Sequence, residues 1–158
     1  MKHLFSKPIS IFCIFFVVSI HVKAGNYSWT GSTDVSWSNA ANWNPTGVPS
    51  SSDSVTISNQ TNNPKLYSNT TVKKITVNSG TIDLNSYQLT ISAYGNFNGG
   101  TINSGLVYMS ETSSSAIYFN GTTFRAKVSI YGNVVSMMNT TFNDSVNIVK
   151  IGSALSSK

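Results

Sequence analysis

The chain holds one cysteine and two histidines, Cys13, His3 and His21, and all three fall within its first 24 residues. From residue 25 onward there is neither thiol nor imidazole. That excludes disulfide staples, zinc sites built on His and Cys, and nucleophiles activated through a Ser-His-Asp or Cys-His relay. Charge is scarce too. The formal charge of +5 for the whole chain falls to +2 beyond residue 24, where seven basic residues face Asp34, Asp53, Asp83, Glu111 and Asp144. So thin a balance is no footprint for nucleic acid. Lys73-Lys74 and the Arg125/Lys127 pair are the local basic clusters, and each reads as a solvated strand face. The five acids stand at least nineteen residues apart. A calcium cage, or the paired carboxylates of a glycoside hydrolase, therefore needs folding to assemble it. Gly95, Gly99 and Gly100 do not open a helix and form no dinucleotide cradle. No cofactor is expected.

What is present begins with a leader. Lys2, His3 and Lys7 flank the start of a nearly unbroken apolar run from Ile9 to Ile20, and Val22-Lys23-Ala24 supplies a cleavage site. Those parts in that order read as a secretory signal peptide over residues 1–24. About a dozen apolar residues are too few for a membrane span of ~20, so no span is expected once the leader is removed. Cys13 follows Ile11-Phe12 rather than small residues, which argues against a lipid anchor. The expected location is extracytoplasmic, either secreted or on the cell surface.

The exported part contains 40 Ser or Thr and 18 Asn. Val, Ile, Tyr and Phe nevertheless recur at short intervals, which favours strands over disorder. The pairs Val55/Ile57, Ile75/Val77, Ile82/Leu84, Leu89/Ile91, Val128/Ile130 and Val146/Ile148 alternate with polar residues. Each gives a short strand one apolar face, as a sandwich, a barrel or a solenoid requires. Repetition helps to choose. Thr122, Thr123, Phe124, Val128 and Ile130 fall on Thr140, Thr141, Phe142, Val146 and Ile148 at an offset of 18. Gly80-Thr81-Ile82 recurs as Gly100-Thr101-Ile102 at an offset of 20. A period near 20 is one coil of a β-solenoid, in which like residues stack on like. It predicts Phe124 over Phe142, Val128 over Val146, and corner asparagines such as Asn120 and Asn139 in amide ladders. The alternative is an antiparallel β-sandwich, which wants Asn-Gly turns between paired strands and has one good candidate, Asn120-Gly121.

Residues 25–65 differ. They hold all three tryptophans and three of the four prolines, and read as an N-terminal Trp-rich cap covering the first coil. Residues 66–158 hold the repeats, with the last coil left incomplete. The succession Tyr27-Ser-Trp29-Thr-Gly31, Trp37, Asn42-Trp43, Val48-Pro49, Asp53-Ser-Val55-Thr-Ile57 and Pro64 resembles an N-terminal pattern of large secreted and cell-surface β-helix proteins of Bacteroidetes-type bacteria. The segments Thr140 to Ile148 and Thr122 to Ile130 are similar to a repeat of the same proteins. The resemblance implies an extracellular right-handed parallel β-helix, usually inside a much longer chain with a C-terminal sorting domain, so this chain reads as a truncated relative. It implies an architecture more than an activity.

Two functions stay open. One is non-enzymatic: an adhesin-like, structural or interaction module whose partner is a cell-surface or extracellular glycan or protein, with an open last coil that invites edge-to-edge self-association. The other is carbohydrate-directed: a sugar-binding module, or the remnant of a polysaccharide-degrading β-helix enzyme. Its candidate sugar contacts are Trp29, Trp37, Trp43 and Tyr27, whose flat faces suit sugar rings. The reading with more weight is that the same rings form the core of the cap, since large aromatics dominate small cores. No catalytic and no metal-ligating residue is assigned.

Overall fold

In the computed structural model of the chain, residues 23–109, 116–131 and 133–149 are described. Residues 1–22, and with them nearly all of the signal peptide expected over residues 1–24, lie outside them, as do Glu111 and the residues after 149. Twelve strands follow in order: β1 (Asn26–Trp29), β2 (Trp43–Asn44), β3 (Ser54–Ile57), β4 (Thr70–Val77), β5 (Thr81–Asp83), β6 (Gln88–Phe97), β7 (Thr101–Met109), β8 (Ala116–Asn120), β9 (Thr123–Tyr131), β10 (Asn133–Met138), β11 (Thr141–Phe142) and β12 (Val146–Val149). A three-residue 3-10 turn, Ala40–Asn42, precedes β2. Apart from β1 with β2, every strand pair is parallel, and each strand pairs with its counterpart in the next coil. The fold is a parallel β-helix of about four turns.

The registers define three stacks. The first runs through β1, β3, the second half of β4, the second half of β6, and β8, placing Tyr27, Val55, Ile75, Gly95 and Ile117 in one row. The second runs from a bridge at Lys65 through β5 and the first halves of β7 and β9 to β11, with Ile82, Ile102, Phe124 and Phe142 in one row. The third takes the first halves of β4 and β6, the second halves of β7 and β9, and β12. Its row is Val72, Ile91, Met109, Ile130 and Ile148. Period-two alternation turns those residues inward, Ile148 in the last described coil staying 40% exposed, and the Thr, Ser, Lys and Tyr between them outward. The stacking puts Phe124 on Phe142, with ring centroids 5.2 Å apart and planes within 14°, and Val128 on Val146. Phe97 and Phe119 stack in the same way, 5.6 Å apart, and both meet Phe124 edge-on. Gly95 keeps an inward position empty for them: a Cβ there would stand 3.0 Å from Ile117 and 3.1 Å from the Phe97 ring.

Two local expectations are corrected. Asn120 pairs in register with Met138, not with Asn139, whose φ of 48° takes it out of the strand. The amide pair forms at the same corner in the preceding coils, where Asn98 Nδ2 donates to Asn78 Oδ1 at 3.2 Å. Asn120-Gly121 is not a hairpin turn either. It is a solenoid corner between β8 and β9, which pair with other coils and not with each other. The sandwich alternative fails on the same observation. The strand pairing also runs unbroken through the Trp-rich segment, since β1 lies on β3 and β3 on β4.

Candidate functional site

The aromatic residues proposed as sugar contacts come together, but inside the protein. Trp29, Trp37 and Trp43 are each 2% exposed. Trp43 is their centre, meeting Trp37 edge-on at 4.7 Å, Trp29 at 5.0 Å and Tyr27 at 6.4 Å. Such T-shaped packing spends the ring faces on one another. The indole N–H of Trp43 donates to the Trp37 carbonyl and that of Trp29 to the Asn62 carbonyl. Trp37 Nε1 is buried without a partner. The three indoles are therefore core, not a sugar platform: β1 and β2 carry Trp29 and Trp43, and Trp37 is held by its backbone N–H bond to the Lys65 carbonyl beside the Ser36–Lys65 bridge. Tyr27 is half-buried in the same cluster.

Asn42 holds this cap together, and nothing in its sequence context marked it as fully buried. It is 0% exposed. Its Oδ1 accepts from the N–H groups of Thr33 and Asp34, and its Nδ2 donates to Asp34 Oδ1 at 2.7 Å and to the Ser36 carbonyl at 2.9 Å. Both donor positions and both acceptor positions of the amide are filled.

The carboxylates are mostly committed to the fold. Asp34 accepts from Ser36 N–H, Asn39 Nδ2 and Asn42 Nδ2, bonds from Asn39, Ser36 and Asn42 that hold its pKa below the usual carboxylate range. Asp53 takes the Gly25 N–H at 2.6 Å and both the N–H and the hydroxyl of Ser50 at 2.7 Å. Burial pushes the Asp53 carboxyl up, but those hydrogen bonds outweigh it and keep it low. Asp83 pairs with Lys65 Nζ at 3.1 Å and accepts from Asn85 N–H. Among the described residues no three of His, Cys, Asp and Glu gather into a metal-binding group.

Asp144 stands elsewhere. It lines an open groove of about 440 Å³ at the corner between the second and third stacks, together with Ser86, Ser104, Gly105, Leu106, Arg125 and Lys127. The corner shortens from coil to coil. Between inward partners it holds residues 83–88 after Ile82, then 103–106 after Ile102, then 125–127 after Phe124. β7 carries a bulge opposite Ala126. Ala126 points inward at 1% exposure, so its neighbours Arg125 and Lys127 both face the groove side. The sequence showed this basic pair without an acid near it. Coil stacking brings Asp144 over, and the 18-residue offset that aligns Phe124 with Phe142 already sets Ala126 beside Asp144.

Among the described residues no helix is long and apolar enough to cross a membrane. Residues 28–104, from β1 into the first half of β7, match the profile of a domain of unknown function, DUF8693. No curated protein and no solved structure matches the chain.

Proposed function

We propose that the chain is an exported, non-catalytic β-solenoid that serves as a structural or interaction module outside the cell or on its surface. The observation that carries this reading is the commitment of the carboxylates: Asp34, Asp53 and Asp83 are each consumed in holding a different part of the fold. Paired-carboxylate hydrolysis needs two such groups free and converging on one bond. The N-terminal leader pattern and the likeness to surface β-helix proteins support the same reading. So does the construction itself, since stacked coils bonded by backbone ladders make an extended, repeat-patterned surface.

The test has two arms. Cells expressing the full chain should place it outside the cytoplasm, shortened by residues 1–24 on mass spectrometry; uncleaved protein held in the cytoplasm would refute export. Purified protein incubated with a panel of acidic and neutral polysaccharides should release no shortened or unsaturated product. Product formation abolished by Asp144→Ala would make the protein an enzyme.

A further inference from the structure

We infer that the groove at the corner between the second and third stacks binds an acidic saccharide, a uronate unit whose carboxylate sits between Arg125 and Lys127. The inference rests on the interaction-module reading above and gives that module a ligand class.

Four observations converge on it. First, Arg125 and Lys127 are exposed, lie two residues apart on β9, and line one groove. Among the described residues neither enters an ion pair, the pair there being Lys65 with Asp83. A planar guanidinium beside an ammonium suits a carboxylate. Second, the other groups in the groove are those a sugar ring needs. Ser86 and Ser104 offer hydroxyls, Asp144 offers an acceptor for ring hydroxyls, and Leu106 offers an apolar wall. Third, Asp144 selects against dense polyanions. A nucleic acid would bring phosphate after phosphate past that carboxylate, whereas a uronate brings one charge per ring with hydroxyls between. Fourth, the corner is built in uncommon backbone. Asn85, Ser86 and Ser104 have φ of 50°, 70° and 54°, and left-handed conformations at non-glycine residues tend to gather where a site requires them. Here they carry the two serines that line the groove.

The volume lies within the range of small-molecule sites.

The experiment is isothermal titration of the full chain with trigalacturonate, maltotriose and inorganic sulfate. Trigalacturonate should bind and maltotriose should not, and binding should weaken as salt rises. Arg125→Gln and Lys127→Gln should each weaken trigalacturonate about tenfold without moving the melting temperature, because both side chains are exposed. Lys74→Gln, on the first stack, should leave binding unchanged. Asp144→Ala separates a sugar site from a bare anion site. Losing an acceptor for ring hydroxyls weakens trigalacturonate, whereas removing a like charge tightens sulfate. Four outcomes would overturn the assignment: no binding of trigalacturonate, equal binding of maltotriose, unchanged affinity in the Arg125 and Lys127 variants, or tighter trigalacturonate binding in Asp144→Ala. Single-stranded DNA binding in the groove more tightly than trigalacturonate would overturn it as well. Cleavage of trigalacturonate by the wild type would instead refute the non-catalytic reading and leave the groove assignment standing.

Discussion

The cap and the coils are held together by different means. In the coils, residues 70–109 and 116–131, the specifying information is repeated: inward rows such as Ile82, Ile102 and Phe124 place like on like, and backbone ladders join them. In residues 25–53, within the Trp-rich segment 25–65 read from the sequence as a cap, almost nothing repeats. Single side chains do the holding: Asn42 with four bonds, Asp34 with three, Asp53 with three, and three indoles packed edge to face. A repeating coil can shed one polar contact because its neighbours keep the register. A non-repeating end has no neighbour on one side to copy, so it needs contacts that fit only one arrangement.

The largest effect should come from Asn42→Asp. The change keeps the size of the side chain but removes two donors and sets a second carboxylate beside Asp34 Oδ1, now 2.7 Å from Asn42 Nδ2. Leaving buried partners unpaired costs about 1–3 kcal/mol each, and more with charge. A loss of about 4 kcal/mol is expected, measured by urea unfolding at pH 7. A loss below about 1 kcal/mol would mean that the cap does not depend on this amide.

The indoles sharpen the comparison within the cap. Trp43→Phe breaks the bond to the Trp37 carbonyl and leaves that buried acceptor short, besides losing ring area at the centre of the cluster. Trp37→Phe loses similar area but also deletes an N–H that has no partner. Trp43→Phe should therefore cost about 2 kcal/mol more than the packing loss shared by both. Thermal denaturation of the two variants side by side checks the order. A reversed order would show that packing, not polar pairing, governs the cap.

This difference also explains what could be read from the sequence. Offsets of 18 and 20 residues are visible in the chain itself, so the solenoid, the row Phe124–Phe142 and the strands from Ser54 onward were legible. The amide ladder was expected at Asn120 and Asn139, but a corner asparagine's partner depends on where the strand ends, and Asn139 leaves it through a positive φ. In the cap, aromatics in a polar sequence fit a small core better than a sugar platform, yet the sequence leaves both open. Only the strand pairing that turns them inward decides. The groove was half legible: Arg125 and Lys127 stood out as a pair and the 18-residue offset sets Asp144 beside Ala126, while Ser86 and Ser104 arrive from two other coils through corner lengths that no local pattern encodes.

Acid should weaken the cap in a direction fixed by Asp34 and Asp53. Both are held below the ordinary carboxylate pKa, near 4 in an unfolded chain. The unfolded state therefore takes up these protons first. The stability they contribute is complete above about pH 5 and is lost as pH falls through the lowered folded values. Hydrogen exchange at about pH 3 should show amides of β1 and β2 losing protection before those of β6 and β7. In Asp53→Asn the fall in stability below about pH 5 should be shallower, although the variant starts less stable at pH 7. Equal loss of protection in cap and coils would place the acid sensitivity outside the cap.

The smallest effect belongs to the coils and tests the other half of the comparison. Asn78 and Asn98 form an amide pair at a coil corner, both exposed, 3.2 Å apart. It has the chemistry of the Asn42 contacts without their burial. Water can replace each bond, and the backbone ladder from Phe97 to Val77 holds the register regardless. Asn98→Ala should cost no more than about 0.5 kcal/mol. A loss approaching that of Asn42→Asp would mean that the corner amides, and not the inward rows alone, keep the coils in register. The cap would then differ from the coils in degree rather than in kind.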